Sequence, residues 1–144
     1  MNNKAKFKAL REMAGYSQAD IANICDVSVT SVKKWENQKR PNQPPADILA
    51  YMEQLYQMHL DEVEAAVNMV LDADEELAEE TGGKQSPVVL AIYASNYENL
   101  RKPAGAINAD TYATAQRLQH LGFEVQFDYP EFVDEFYPFP IDEQ

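Results

Sequence analysis

Ser17-Gln18-Ala19-Asp20-Ile21-Ala22-Asn23-Ile24-Cys25-Asp26-Val27-Ser28-Val29-Thr30-Ser31-Val32-Lys33-Lys34-Trp35-Glu36-Asn37 decides the fold of the N-terminal part of this chain. Ser17 is a natural helix N-cap, and Asp20 three positions on imitates the acidic partner of a capping box. The helix that starts there directs Ile21, Ile24 and Cys25 inward. Asp26-Val27 reads as a tight corner. Such a corner takes a residue with φ > 0, and Asp is one of the few non-glycine types that tolerate it. Ser28 caps a following helix that runs through Asn37, with Val32 and Trp35 inward and Lys33, Lys34 and Glu36 outside. Ala22 supplies a small side chain where the two helices approach most closely, and Ile21, Val27, Val32 and Trp35 form the internal contacts.

On the N-terminal side, Phe7, Leu10 and Met13 or Ala14 fall at helical spacing, and Gly15 suits the position just past the helix end. On the C-terminal side, Lys39-Arg40-Pro41-Asn42-Gln43-Pro44-Pro45 stops one helix and starts another. Pro44 or Pro45 suits its first turn, and Asp47 places a carboxylate near the positive end of its dipole. Ile48, Met52, Leu55, His59, Val63, Ala66, Val70 and Leu77 then form one apolar stripe. An unbroken helix over this segment would span about 54 Å at 1.5 Å per residue. The expectation is therefore a break near Met58–Asp61 or a partner chain. Residues 61–80 hold nine acidic side chains and no basic one. This reads as a solvated face, held helical by packing because like charges four apart weaken an isolated helix.

After the polar linker Thr81–Pro87 the period changes. Pro87–Tyr93 is a short apolar run rich in β-branched residues, which predicts a strand. Residues 94–107 read as an irregular connection. Asn108 or Asp110 caps a helix through Leu121 that carries Tyr112, Ala115 and Leu118 on one face. Gly122 and Phe123 fit a Schellman-type end, with Phe123 touching Leu118. Phe123–Tyr129 alternates apolar and polar residues, as a half-buried strand does. Strand, helix, strand predicts a parallel pair. Two strands alone are too few for stability, so they pack on the long helix or pair with a second subunit.

The 144 residues carry 12 basic and 24 acidic side chains, net −12. The average hides an asymmetry: residues 1–45 hold eight basic and four acidic side chains, net +4, whereas residues 46–144 hold four and twenty, net −16. A basic head on an acidic body differs from a uniformly acidic protein. One cysteine, Cys25, excludes an intramolecular disulfide and a cysteine-rich zinc site, and its apolar neighbours point to a buried thiol. His59 and His120 stand alone and read as helix-surface or interface residues. No signal-peptide run, transmembrane stretch, phosphate-binding glycine loop or nucleophile–base pair is visible. The expectation is a cytoplasmic protein that is not an enzyme and uses no cofactor or metal.

The stretch from Ser17 to Asn37 resembles the Cro/C1-type (XRE) helix-turn-helix family. The resemblance covers about residues 5–60 and is carried by Ser17-Gln18, Ala22, Val27-Ser28, Val32, Trp35-Glu36-Asn37 and Lys39-Arg40-Pro41. Asp26 stands where glycine is usual, and Gln38 where many members carry glycine. The family places its third helix in the major groove of double-stranded DNA. By position, the resemblance makes Ser28, Val29, Thr30, Lys33 and Lys34 the base- or backbone-facing candidates. Val29 and the Thr30 methyl suit a thymine methyl, and Lys33 or Lys34 suits guanine O6/N7. Gln18 matches the family's phosphate-contacting glutamine, and Lys39 and Arg40 reach phosphates. Lys4, Lys6 and Lys8 are expected to add unspecific charge.

The fold class that follows is mainly α with a small α/β C-terminal part. Residues 1–60 form a helix-turn-helix DNA-binding domain, and residues 61–144 an acidic helix plus strand-helix-strand. The layout of the second part resembles YdiL-type proteins and anti-CRISPR-associated repressors, which implies a homodimer made through residues 61–129. Two heads then read a palindromic operator together, and the acidic body faces away from the duplex. The alternative is an antitoxin-like interaction protein whose acidic part binds a partner. The acidic, aromatic tail 129–144 reads as a strip on its own domain or a docking peptide anchored by Phe132, Phe136 and Phe139.

Overall fold

The computed structural model describes residues 2–82, 87–96 and 100–130. Among these residues the chain forms, in order, α1 (Asn3–Ala14), α2 (Gln18–Cys25), α3 (Val29–Glu36), α4 (Ala46–Thr81), β1 (Val88–Ala91), α5 (Ala104–His120) and β2 (Val125–Asp128). It divides into two compact units, residues 1–59 and 60–144. The tail positions Phe132, Phe136 and Phe139 lie outside the described residues.

In the first unit each helix boundary has a local chemical cause. Gly15 ends α1 with φ 86°, and the Gly15 and Tyr16 amides donate to Glu12 and Arg11 carbonyls at 3.1 Å each, the paired bonds of a Schellman end. Ser17 Oγ accepts from the Asp20 amide at 2.9 Å, and Asp20 returns a bond to the Ser17 amide at 2.8 Å. Asp26 turns the corner at φ 55°, ψ 49°, the one non-glycine positive φ among the described residues. Ser28 Oγ then caps α3 by accepting from Ser31. Phe7, Ala14, Ile21, Ala22, Val32 and Trp35 are buried, and the Phe7 and Trp35 rings meet edge to face at 5.9 Å. Met52, Leu55 and His59 of α4 are also buried.

Several inward assignments need correction. Ile24 is exposed, because the eight-residue α2 has room for one narrow buried stripe, here Ile21 and Ala22; of the alternatives Met13 and Ala14 on α1, Ala14 is the buried one. Cys25 is only partly buried. Burial nevertheless pushes its thiol pKa up, and the nearby Asp47 carboxylate adds to this. Glu36 is not outside: its side chain is 4% exposed and paired with Arg11. Helix α4 starts at Ala46, one residue after the prolines, with the Pro45 carbonyl accepting from Leu49. It shows no break at Met58–Asp61.

In the second unit the two strands pair in parallel, with Val88 opposite Val125 and Leu90 opposite Phe127. Val63 and Val67 of α4, Leu118 of α5 and Phe123 form the core, and Val70, Val88, Leu90, Ala113 and Val125 pack against it. Val67, rather than Ala66, is the fully buried residue of that turn. The strands thus bury one face against both helices, which answers their marginal stability as an isolated pair. Gly122 (φ 96°) and Phe123 donate to Gln119 and Leu118 carbonyls, the expected Schellman end.

The start of α5 differs from the sequence expectation. The helix begins at Ala104, four residues before Asn108, so residues 104–107 are helical rather than irregular. Pro103 offers no side-chain cap, and Asn96 supplies one from a distance by accepting from the Ala104 amide at 2.7 Å. Asn108 instead clamps the backbone after β1, accepting from the Tyr93 amide and donating to its carbonyl, both at 2.9 Å. Asp110 is buried against Lys102 at 2.6 Å, and Lys102 and Arg101 also reach Glu62. Tyr112 is exposed and leans edge-on against Phe127.

Candidate nucleic-acid interface

Helix α3 presents its N-terminal end and one face to solvent. Ser28 is the exposed N-cap, and Val29 and Thr30, the first two helical residues, are exposed. Lys33 lies one turn on and is exposed, and Lys34 is half-buried. Val29, Thr30, Lys33 and Lys34 fall at i, i+1, i+4 and i+5, so the helical period groups them on one side. Lys39 and Arg40 are exposed on the loop that follows α3. That loop is an ordered turn: Asn37 Oδ1 accepts from the Lys39 amide and the Asn37 carbonyl from the Arg40 amide, each at 3.0 Å.

Gln18, the first residue of α2, is half-buried and tied to α3, its Nε2 donating to Glu36 Oε1 at 3.1 Å. Glu36 in turn accepts two bonds from Arg11, at 2.6 Å to Nε and 2.7 Å to Nη2, while Arg11 Nη1 donates to the Tyr16 carbonyl at 2.8 Å. This planar two-point pairing fixes α1, the start of α2 and the end of α3 in one arrangement. The sequence reading missed both Arg11 and the burial of Glu36. The signal was present, since Arg11 stands four residues from Phe7 and three from Ala14, on the buried stripe of α1.

The surface charge is sharper than the count implies. Lys4 and Arg11 are buried and Lys6 pairs with Glu53 at 3.0 Å. Lys4 therefore adds no unspecific surface charge; its ammonium is spent on backbone carbonyls. Lys33, Lys34, Lys39 and Arg40 make no ion pair among the described residues, so the uncompensated surface cations of the N-terminal unit gather on α3 and the loop after it. The α3 N-terminus adds the positive end of its dipole on the same side.

No helix among the described residues is long and apolar enough to cross a membrane. No curated protein matches the chain. The helix-turn-helix family model matches residues 7–63, which hold the corner at Asp26, the capped α3 and the cationic loop. The N-terminal unit is a helix-turn-helix domain of the Cro/C1 type, the DNA-binding module of transcriptional regulators.

Proposed function

We propose that the protein is a sequence-specific transcriptional regulator, a homodimeric repressor that reads a palindromic operator with the helix starting at Ser28. The observation that carries this reading is the exposed cap and first turn of α3, flanked by the four uncompensated cations, in a unit that matches the helix-turn-helix family. Val29 and Thr30 meet base edges or thymine methyls, and Lys33 or Lys34 donates to guanine. Gln18, Lys39 and Arg40 contact phosphates and set the register of the head on the duplex.

Dimerisation is assigned to residues 61–129. In that region Met69, Val89, Tyr112, Leu121, Phe127 and Tyr129 are large apolar or aromatic side chains open to solvent, surface that a second subunit would cover. Two heads spaced by about one helical turn, roughly 34 Å, bind together where one supplies few contacts.

Selection of binding sites from random duplex DNA tests binding, symmetry and half-site spacing at once. A two-fold symmetric motif is the expected result. Lys33→Ala with Lys34→Ala should reduce binding to the selected site to the level of unselected DNA. Retained selectivity in that variant overturns the base-contact assignment, and failure to enrich any motif overturns the reading itself. Sedimentation of the full chain tests the dimer.

A further inference from the structure

Lys4 is 5% exposed, and its ammonium donates to three backbone carbonyls. Two close the end of α3, Lys34 at 2.8 Å and Trp35 at 3.4 Å, and the third is Asn42, in the loop that carries Lys39 and Arg40. The three N–H donors of the ammonium are thus all used. The carbonyls at a helix C-terminus lack intrahelical partners and carry the negative end of the dipole, so a buried cation there is compensated without a carboxylate. Lys4 and Arg40 also line one open polar hollow of about 540 Å³, together with Asn2, Asn3, Gln38 and Gln43. Among the described residues, the other hydrogen bonds that hold the loop between Asn37 and Asn42 are its own short-range turn bonds.

We infer that Lys4 is a positioning residue for DNA binding: it touches no phosphate itself and fixes the Lys39–Arg40 loop at the height of α3. This rests on the reading of the head as a DNA-binding unit. A merely structural role and a direct phosphate contact predict different outcomes.

The experiment measures affinity for a mixed-sequence duplex of about 30 base pairs as a function of salt, with the full chain, for wild type, Lys4→Met, Lys4→Gln, Lys39→Ala/Arg40→Ala and the triple variant with Lys4→Met. Each phosphate contact contributes about 0.9 to the slope of log affinity against log salt. Lys4→Met should lower the slope by about 2, as the Lys39→Ala/Arg40→Ala pair does, and the triple variant should fall no further. Over a fourfold rise in salt, wild type then loses roughly tenfold more affinity than Lys4→Met. Trp35 fluorescence establishes that each variant is folded. Lys4→Gln, which keeps an uncharged donor, covers the case in which Lys4→Met does not fold, and it should show part of the same loss. The Arg40 amide should exchange with deuterium faster in both Lys4 variants. An unchanged slope in a folded Lys4 variant, or a drop of about 1 that adds to that of the Lys39/Arg40 pair, overturns the inference. If wild type binds no duplex at low salt, the DNA-binding reading falls instead, while Arg40 exchange still decides whether Lys4 holds the loop.

Discussion

Removing the Glu36 carboxylate should be the costliest single change in the head outside its apolar core. The Arg11 and Glu36 side chains are 9% and 4% exposed. In Glu36→Ala the guanidinium keeps the Tyr16 carbonyl and a longer 3.6 Å ion pair with the exposed Glu12, and loses two short charged bonds inside the protein. The Gln18 amide loses its acceptor as well. Breaking a buried pair by deleting one member costs about 3–5 kcal/mol, because the surviving charge stays buried without its close partner; the exposed Glu12 compensates Arg11 only weakly. For a small domain with a urea m-value near 1 kcal/mol/M, the midpoint should fall by roughly 3 M or more. Trp35 makes the measurement specific, since it is the only tryptophan in the chain and is buried in this unit. Glu53→Ala is the control: its partner Lys6 is 36% exposed, so the loss should stay under about 1 kcal/mol. The double variant Arg11→Met/Glu36→Leu should recover most of the stability lost in Glu36→Ala, because no uncompensated charge remains. A midpoint shift for Glu36→Ala no larger than that of Glu53→Ala would refute the reasoning.

Three further outcomes follow from other parts of the molecule. Asp26→Val should destabilise the head by about 1–2 kcal/mol in the same urea assay, because a β-branched residue is forced to φ 55°, while Asp26→Gly should be neutral or stabilising. Burial raises the pKa of Glu62, but hydrogen bonds with Asp110, Arg101 and Lys102 outweigh it and hold the carboxyl at about 2. A carboxylate depressed in the fold stabilises above its unfolded pKa, and this contribution is lost as pH falls from about 4.5 towards 2. Glu62→Gln should therefore flatten the acid limb of stability in that window, and a carboxyl-carbon NMR titration of Glu62 with a midpoint above 4 would contradict the assignment. Cys25, with its raised thiol pKa, should react with a disulfide reagent at pH 8 more slowly in the native chain than in urea; equal rates would contradict its environment.

Local grammar carried most of the fold to the sequence level. Ser17 with Asp20, Gly15, Asp26, Ser28 and Gly122 each act through bonds or dihedrals spanning a few residues, so their roles can be read from spacing. The parallel strand pair was legible from alternation and β-branched content. What escaped was long-range polar pairing. Lys4, Arg11 and Glu36 look like surface charges one at a time, and only the tertiary meeting of α1 with α3 makes their burial favourable. Yet Lys4, Phe7, Arg11 and Ala14 share one stripe of α1, and two cations on an otherwise apolar stripe are a usable signal. The start of α5 was missed because Asn96 caps it from eight residues upstream, and a cap search looks only next door.

The pairing of β1 with β2 also sets the order in which the chain acquires structure. Val88 must find Val125 across 37 residues that include a whole helix, whereas α1 docks on α3 by side-chain contacts that span 25–31 residues. Parallel strand pairing over a crossover is slow compared with helix docking. The N-terminal unit, residues 1–59, leaves the ribosome first. The second unit stays incomplete until Phe123 and Val125 have been synthesised. During that interval Val63, Val67, Val88 and Leu90 have no partner layer. The nine carboxylates on residues 61–80 then act as a solubility guard, keeping nascent chains apart through mutual repulsion until the last strand arrives.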